Sequence, residues 1–349
     1  MSQPKQVFRL FANCKVTEGA RRSVVCDLWH GRYDFIPNML VHLLNEHADM
    51  SLDEIKAAYD HEHDDTIDEY YHFLEGNGYG FYTSEPHLFP PLPDTYRHPG
   101  PISNAIIDMD RQSGHDIEKI LAQLDDLGCV AVQFRAYEAF TPGEWHSMLT
   151  AALTTRIPDV QLVTPYISEL ASAEWRKLVN THPRVSSLSL HSAPDNRKEE
   201  TPSQVEITFT TQPITDHSHC GVVHPAFFSI NIEAYTEATQ ANSCLNGKIS
   251  IDRQGYICNC PSLPERYGHT RDTSLREALA QKDFARYHSM TKDSVSVCSD
   301  CEFRYICSDC RAFVQDPAQD TDSPKAYGKP SGCNYDPYTA TYTSGPAVS

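Results

Sequence analysis

Seven of the chain's 12 cysteines fall between Cys244 and Cys310, and Cys333 follows. Ten residues separate Cys244 from Gly255, and four more separate Gly255 from Cys260. Then comes the run Cys298-x2-Cys301-x5-Cys307-x2-Cys310. Thiolates two residues apart on a tight turn can both face one ion, so C-x2-C is a metal half-site. Two such pairs with five residues between them hardly fold back onto one tetrahedral ion. Sharing them between two sites is more natural, and four-cysteine iron–sulfur clusters are built this way. Two tetrahedral zinc ions are also permitted, since thiolate softness suits both. A fourth ligand beside Cys244 and Cys260 could come from Cys220, in His219-Cys220-Gly221, or from Cys258. Cys258 and Cys260 share a face if the strand carrying them continues. Cys220 is preferred.

Other residues of chemical type have plainer readings. His61, His63, Asp64 and Asp65 could bind a metal but read as a solvated helix–loop turn. Asp216, His217, His219 and His224 surround Cys220 and could complete a cluster or hold a separate ion. Asp108 and Asp110, at the end of a strand, could do acid–base work but read as solvated strand-end groups. Arg135 could bind a substrate carboxylate or sit in a surface salt bridge. Cys14, Cys26 and Cys129 read as small buried apolar residues. No residue takes a catalytic role from the sequence.

The chain must be large enough to position these groups. Its 349 residues suggest two or three domains. Forty-seven acidic against 29 basic residues give a formal net charge of −18, which repels nucleic-acid backbones and anionic membrane surfaces. No basic run exceeds a pair such as Arg197-Lys198, and no apolar run approaches the ~20 residues of a spanning helix. The N-terminal residues lack a signal-peptide pattern, so a cytoplasmic protein with reduced thiols is expected.

Residues 1–85 read as one unit. Val7 to Phe11, Ser23 to Leu28 and Tyr33 to Ile36 suit strands, with His30-Gly31 as the turn between the last two. Met39, Leu40, Leu43 and Leu44 make a helical stripe, and Ser51-Leu52-Asp53-Glu54 and Thr66-Ile67-Asp68-Glu69 read as capping boxes. A last strand spans Tyr79 to Tyr82, which completes a winged-helix pattern. Six prolines in 86–101 make a stiff linker. Residues 102–243 alternate strands and helices, with strands near 105–107, 130–134, 160–163, 185–190, 205–209 and 227–232. That gives a parallel sheet of four to six strands, fewer than a full barrel. Thr141-Pro142-Gly143-Glu144 opens a helix through Leu153, and Ser172 caps another. Residues 244–336 form the cysteine region, with a hairpin from Gly247 to Cys258 turning at Gln254-Gly255 and a helix from Ser274 to about Phe284. The tail, 337–349, reads as frayed.

The cysteine spacing resembles the SPASM domain, which carries two auxiliary [4Fe-4S] clusters in radical SAM peptide-modifying enzymes. The match runs through Cys244, Gly255, Cys260, Cys298, Cys301, Cys307, Cys310 and Cys333, with x2 rather than x3 before Cys310. The resemblance implies one cluster on Cys298, Cys301, Cys307 and Cys333, and another on Cys244, Cys260, Cys310 and Cys220, with Cys258 as the alternative. The open iron site that holds S-adenosylmethionine needs C-x3-C-x2-C, and the chain has none. Ile106 to Asp116 lacks cysteine, and Phe134 to Glu138 stands where a Gly-Gly-Glu-like segment belongs. SAM radical chemistry is therefore not expected, and neither is SAM binding.

The combination resembles the SPASM-domain peptide maturases of grasp-with-spasm systems, which act on ribosomally made peptides beside an ATP-grasp ligase. Leu10 to Cys14, Asn242 to Asp252, Cys301 to Phe313 and Cys333 to Tyr338 carry the likeness. It implies a degenerate, partial radical-SAM-like (β/α) barrel between an N-terminal PqqD-like winged-helix unit and the SPASM unit. The N-terminal unit would bind a precursor's leader by strand addition. Its groove would be Tyr33, Phe35 and Ile36 with Ile67, Tyr70, Tyr71 and Leu74. The alternatives are a zinc-stapled structural adaptor and an electron-transfer partner.

Overall fold

The computed structural model describes residues 4–170, 172–315 and 327–343. It is a mixed α/β structure that divides into two units, each assembled from separated stretches of chain. One comprises Met1–Tyr96, Val223–Ser243 and Met290–Ser349; the other comprises Arg97–Val222 and Cys244–Ser289. The cysteine region read from the sequence as one piece is thus divided between them. Among the described residues no helix is long and apolar enough to cross a membrane.

The first unit opens with β1 (Val7–Leu10), β2 (Cys14–Glu18), β3 (Ser23–Asp27) and β4 (Arg32–Ile36). Helices α1 (Asn38–Glu46), α2 (Leu52–Ala58) and α3 (Asp64–Gly76) follow, then β5 (Gly80–Thr83). Strands β2, β3 and β4 form an antiparallel sheet in that order, with Val25 opposite both Val16 and Asp34. β1 and β5 pair separately, Phe8 opposite Tyr82. Leu40, Leu43, Ile55, Ile67, Tyr71, Leu74 and Tyr79 fill the core between sheet and helices. The Ser51–Glu54 capping box is present at the start of α2. The one expected at Thr66 is not: α3 begins two residues earlier, after His63, so Thr66 and Glu69 lie inside the helix. The sequence reading omitted β2, whose Lys15, Thr17 and Glu18 mask its alternation.

The second unit is organised by one sheet. Its elements are β6 (Asn104–Met109), α4 (Ile117–Asp126), β7 (Ala131–Ala136), α5 (Pro142–Ala152), β8 (Asp159–Pro165), α6 (Ser172–Thr181), β9 (Val185–His191), β10 (Arg197–Glu200) and β11 (Glu206–Phe209). After α7 (Ile232–Gln240), which belongs to the first unit, come β12 (Lys248–Ile251), β13 (Ile257–Cys258) and α8 (Leu275–Leu279). The strands run β10-β11-β9-β8-β7-β6-β12-β13 in an open row of eight. The six from β11 to β12 are parallel, and the strand at each end is antiparallel to its neighbour. Ile107, Phe134, Leu162 and Leu188 are fully buried, as are Trp145 and Trp175 from α5 and α6. The Thr141–Glu144 and Ser274–Glu277 capping boxes both form.

Four further expectations need correction. The strand expected over 227–232 is a short turn, Pro225–Phe227, running into α7. Pro225 cannot donate to a sheet, and Asn231 caps α7 by accepting from the Ala234 amide at 2.9 Å. Ser172 is the first helical residue of α6 rather than its cap. Helix α8 ends at Leu279, although Phe284 beyond it is still buried. Part of the expected frayed tail is ordered: β14 (Tyr335–Asp336) and β15 (Thr341–Tyr342) form a hairpin. Its remaining residues, 344–349, lie outside those described.

Candidate metal centre

Cys298, Cys301, Cys307 and Cys333 all belong to the first unit. A short turn, Cys298–Asp300, carries the first pair, with the Cys301 amide donating to the Cys298 carbonyl at 3.0 Å. Val297, just before it, has φ +66°, a left-handed conformation that a β-branched residue rarely adopts. Such strain persists only where surrounding structure imposes it, as at ligand clamps. Cys307 closes a turn on the Phe303 carbonyl, and Cys333 one on Pro330, both at 3.0 Å. Cys301, Cys307 and Cys333 line one cavity of about 20 Å³ with Phe303, Tyr335 and Tyr342.

Burial raises the thiols of Cys298, Cys301 and Cys307. Cys298 is pushed up to about 12, by desolvation and by Asp309, Cys307 and Cys333, against the pull of Lys292. Cys301 and Cys307 are raised too, chiefly by burial. They are neutral thiols at pH 7, and a metal must displace their protons. Among the described residues no group of three or more His, Cys, Asp or Glu side chains stands arranged to hold a metal ion as it is. The sulfurs are neighbours, not yet a closed shell. Their donor chemistry nevertheless suits a soft metal ion: three thiols line one small cavity, and Cys298 lies on the turn that leads into Cys301.

Lys292 is a buried cation, only 4% exposed. Its Nζ donates to the Cys307 carbonyl at 2.7 Å and the Ser308 carbonyl at 2.8 Å. Burial opposes the charge, but Cys307, Cys298 and Asp309 more than offset it and push Lys292 up to about 12. Asp309 itself accepts from Arg311 Nη2 at 2.5 Å and Asn242 Nδ2 at 2.8 Å. Glu302, beside Cys301, is also buried. Its Oε1 accepts from Arg22 Nε at 2.9 Å and from the Tyr335 hydroxyl at 2.5 Å, while its Oε2 has no partner.

The N-terminal sheet grips this cysteine loop. The Ala20 amide donates to the Asp300 carbonyl at 2.8 Å, and Arg304 Nη1 to the Glu18 carbonyl at 2.5 Å. A Cβ on Gly19 would lie 2.8 Å from the Glu302 amide nitrogen, so the β2–β3 turn approaches closely only as glycine. Phe303 packs edge-on against Tyr33 and Phe35 of β4, with ring centroids 5.6 and 5.8 Å away.

The expected peptide groove therefore divides. Ile36, Tyr71 and Leu74 are core residues, 2%, 2% and 0% exposed, and are not open to a peptide. Ile67, also buried, edges an apolar cleft with Met39, Leu43, Tyr59 and Tyr70. Tyr33 is half-buried on Phe303, and Phe35 is exposed. β4 is the outer strand of its sheet, so its free edge can accept another strand.

In the second unit, Cys244, Cys260 and Cys220 gather around Lys248. Lys248 Nζ donates to Cys244 Sγ at 3.5 Å, and all three sulfurs act to keep its ammonium charged against the cost of burial. Cys258 is turned elsewhere: it is fully buried, and its thiol donates to the Ser250 carbonyl at 3.6 Å. β13 ends at Cys258, so the shared face with Cys260 is not formed. Cys310 belongs to the first unit. Gly255 turns the β12–β13 hairpin at φ +95°, and a Cβ there would meet His269 Cε1 at 2.6 Å.

The other candidates occupy structural roles. Asp108 is not a solvated strand-end group but is 1% exposed. It receives Arg135 Nε and Nη2 at 2.6 and 2.8 Å and the Tyr137 hydroxyl at 2.5 Å. Arg135 is thus in a buried ion pair. Asp110 Oδ1 accepts from the Gln112 amide at 2.9 Å. Asp216 caps the turn holding His217 and His219, and His224 caps the next. His61 pairs with Asp64 at 3.1 Å on an exposed helix end. Cys14, Cys26 and Cys129 are buried.

Sequence reasoning missed Lys292, Lys248 and Glu302. Only Lys248 gave a signal, as a lone charge beside Ile249-Ser250-Ile251 and four residues from Cys244. Comparison with protein-family models and with curated proteins finds no match for this chain.

Proposed function

We propose that this protein is a maturation factor for a ribosomally synthesised, post-translationally modified peptide. It carries thiolate-bound metal, binds the precursor's leader on its N-terminal unit, and works with an ATP-grasp ligase. In this reading the N-terminal unit is a PqqD-like winged helix, the open sheet a degenerate radical-SAM-like barrel, and the cysteine region a SPASM unit. The observation that carries the reading is the packing of Tyr33 and Phe35, on a free sheet edge, against Phe303 between Cys301 and Cys307. A leader strand added along β4 would lie beside the metal centre, with the exposed Phe35 and the cleft at Tyr70 as its apolar seats.

Cys298, Cys301, Cys307 and Cys333 would hold one metal group; Cys244, Cys260 and Cys220 would contribute to another. Bound there, iron–sulfur clusters would supply electron transfer, whereas zinc would supply only cross-linking. With no S-adenosylmethionine motif in the chain, no radical step is assigned to it. A second reading is the zinc-stapled adaptor, since a set of thiolates can hold a zinc ion as well as a cluster.

Anaerobic purification with iron, sulfide and zinc quantitation separates the two. About eight irons with matching sulfide establish two [4Fe-4S] clusters, and about two zincs without colour establish the adaptor. Fluorescence anisotropy with labelled synthetic leader peptides tests the groove. Tyr33→Pro removes an edge donor and should abolish binding; unchanged binding refutes the β4 assignment.

A further inference from the structure

Lys292 is a buried cation without a carboxylate of its own. Among the described residues it makes no ion pair, and its hydrogen bonds go to the carbonyls of Cys307 and Ser308. The nearest acid, Asp309, is already matched by Arg311, and Glu302 by Arg22. Among the described residues these two pairs leave Lys292 without an ion-pair partner. An ammonium in a low-dielectric interior is costly unless a negative group faces it. When a divalent ion binds the thiols of Cys298, Cys301, Cys307 and Cys333, four protons leave to solvent and the ion–thiolate group carries two surplus negative charges.

We propose that Lys292 is the charge-matching residue of the Cys298, Cys301, Cys307 and Cys333 centre, its ammonium offsetting the anionic character of a metal held by four thiolates. The inference rests on the metal-thiolate reading of this site. It assigns Lys292 a role toward metal retention that no ligand list contains. It also explains the placement of the side chain: both anchoring carbonyls belong to the loop that carries Cys307, so the charge is held against the site rather than in solvent. Lys248 repeats the arrangement in the other unit, beside Cys244, Cys260 and Cys220.

The test is anaerobic titration of the reduced, metal-free, full-length protein with Co²⁺, followed by its thiolate-to-cobalt charge-transfer absorbance. Cys298→Ser identifies which absorbance belongs to this site. Lys292→Gln keeps donors for the two carbonyls and removes only the charge; Lys292→Arg keeps the charge. Lys292→Gln should bind Co²⁺ at this site about 10- to 100-fold more weakly, with the thermal midpoint of the metal-free protein unchanged or raised. Lys292→Arg should stay close to the parent. Equal Co²⁺ affinity in Lys292→Gln overturns the proposal. So does a Lys292→Gln protein that fails to fold without metal, since Lys292 is then structural. Absence of any Cys298-dependent absorbance in the parent refutes the metal centre itself, a separate failure.

Discussion

The ring of Tyr33 meets that of Phe303 nearly at right angles, 76° between planes and 5.6 Å between centroids. One residue lies on the outer strand of the N-terminal sheet, the other inside the five-residue gap between Cys301 and Cys307. A strand edge and a thiol loop far apart in sequence thus share an aromatic contact.

That contact predicts a stability and metal phenotype for Phe303→Ala. Phe303 is 3% exposed and touches Tyr33, Phe35, Phe228 and Tyr335. Its truncation should cost about 3–5 kcal/mol in urea unfolding and lower the metal retained on purification. A change below about 1 kcal/mol, with full metal content, means the contact is incidental.

It also predicts coupling. Leader peptide should bind the metal-free protein about 5- to 150-fold more weakly than the loaded one. By reciprocity, saturating peptide should slow metal loss to a chelator. Equal peptide affinity in both forms shows that the strand edge does not sense the thiols.

Asp108→Asn removes the charge that compensates buried Arg135 while keeping its shape. Breaking a buried pair on one side costs about 3–5 kcal/mol. The loss should appear as a lower unfolding midpoint with leader binding preserved, because the pair serves the sheet rather than the groove.

Alkaline pH should unfold the protein through its buried thiols. Cys26 and Cys129 are each raised from 9.0 to about 12 by burial. A folded pKa above the unfolded one contributes stability that is intact below the unfolded value, near 9, and lost as pH rises toward 12. Urea midpoints under reductant should therefore fall across that window. Cys129→Ala should flatten the fall while costing stability at pH 7; an unaltered slope assigns the loss elsewhere.

Gly255→Ala should destabilise the protein by more than about 1 kcal/mol, from its left-handed φ and the clash with His269. Thermal denaturation measures this, and metal loss from Cys244 and Cys260, just outside the hairpin's two strands, should accompany it.

Much of the scaffold was legible. Capping boxes at Ser51, Thr141 and Ser274 announce their helices because the signal is local. The runs at 130–134 and 185–190 announce strands because apolar residues recur at every second position, Val132 and Phe134 in one, Leu188 and Leu190 in the other. Charged edge strands were not legible: Arg197–Glu200 has no buried residue, and only pairing with β11 makes it a strand. The assignment of Cys298, Cys301, Cys307 and Cys333 to one centre follows only from the resemblance. The buried cation beside them does not, because burial of Lys292 arises from contacts fifteen residues and more away.

The first unit is built from three stretches, the last beginning at Met290. A ribosome makes them far apart in time, at about 5–20 residues per second. Strand β4 is therefore synthesised long before Phe303 can cover it. Throughout that interval Tyr33 and Phe35 lack the Phe303 ring that packs against them. If Cys333 completes a metal centre with Cys298, as proposed, the site cannot close around its metal before translation has passed Cys333.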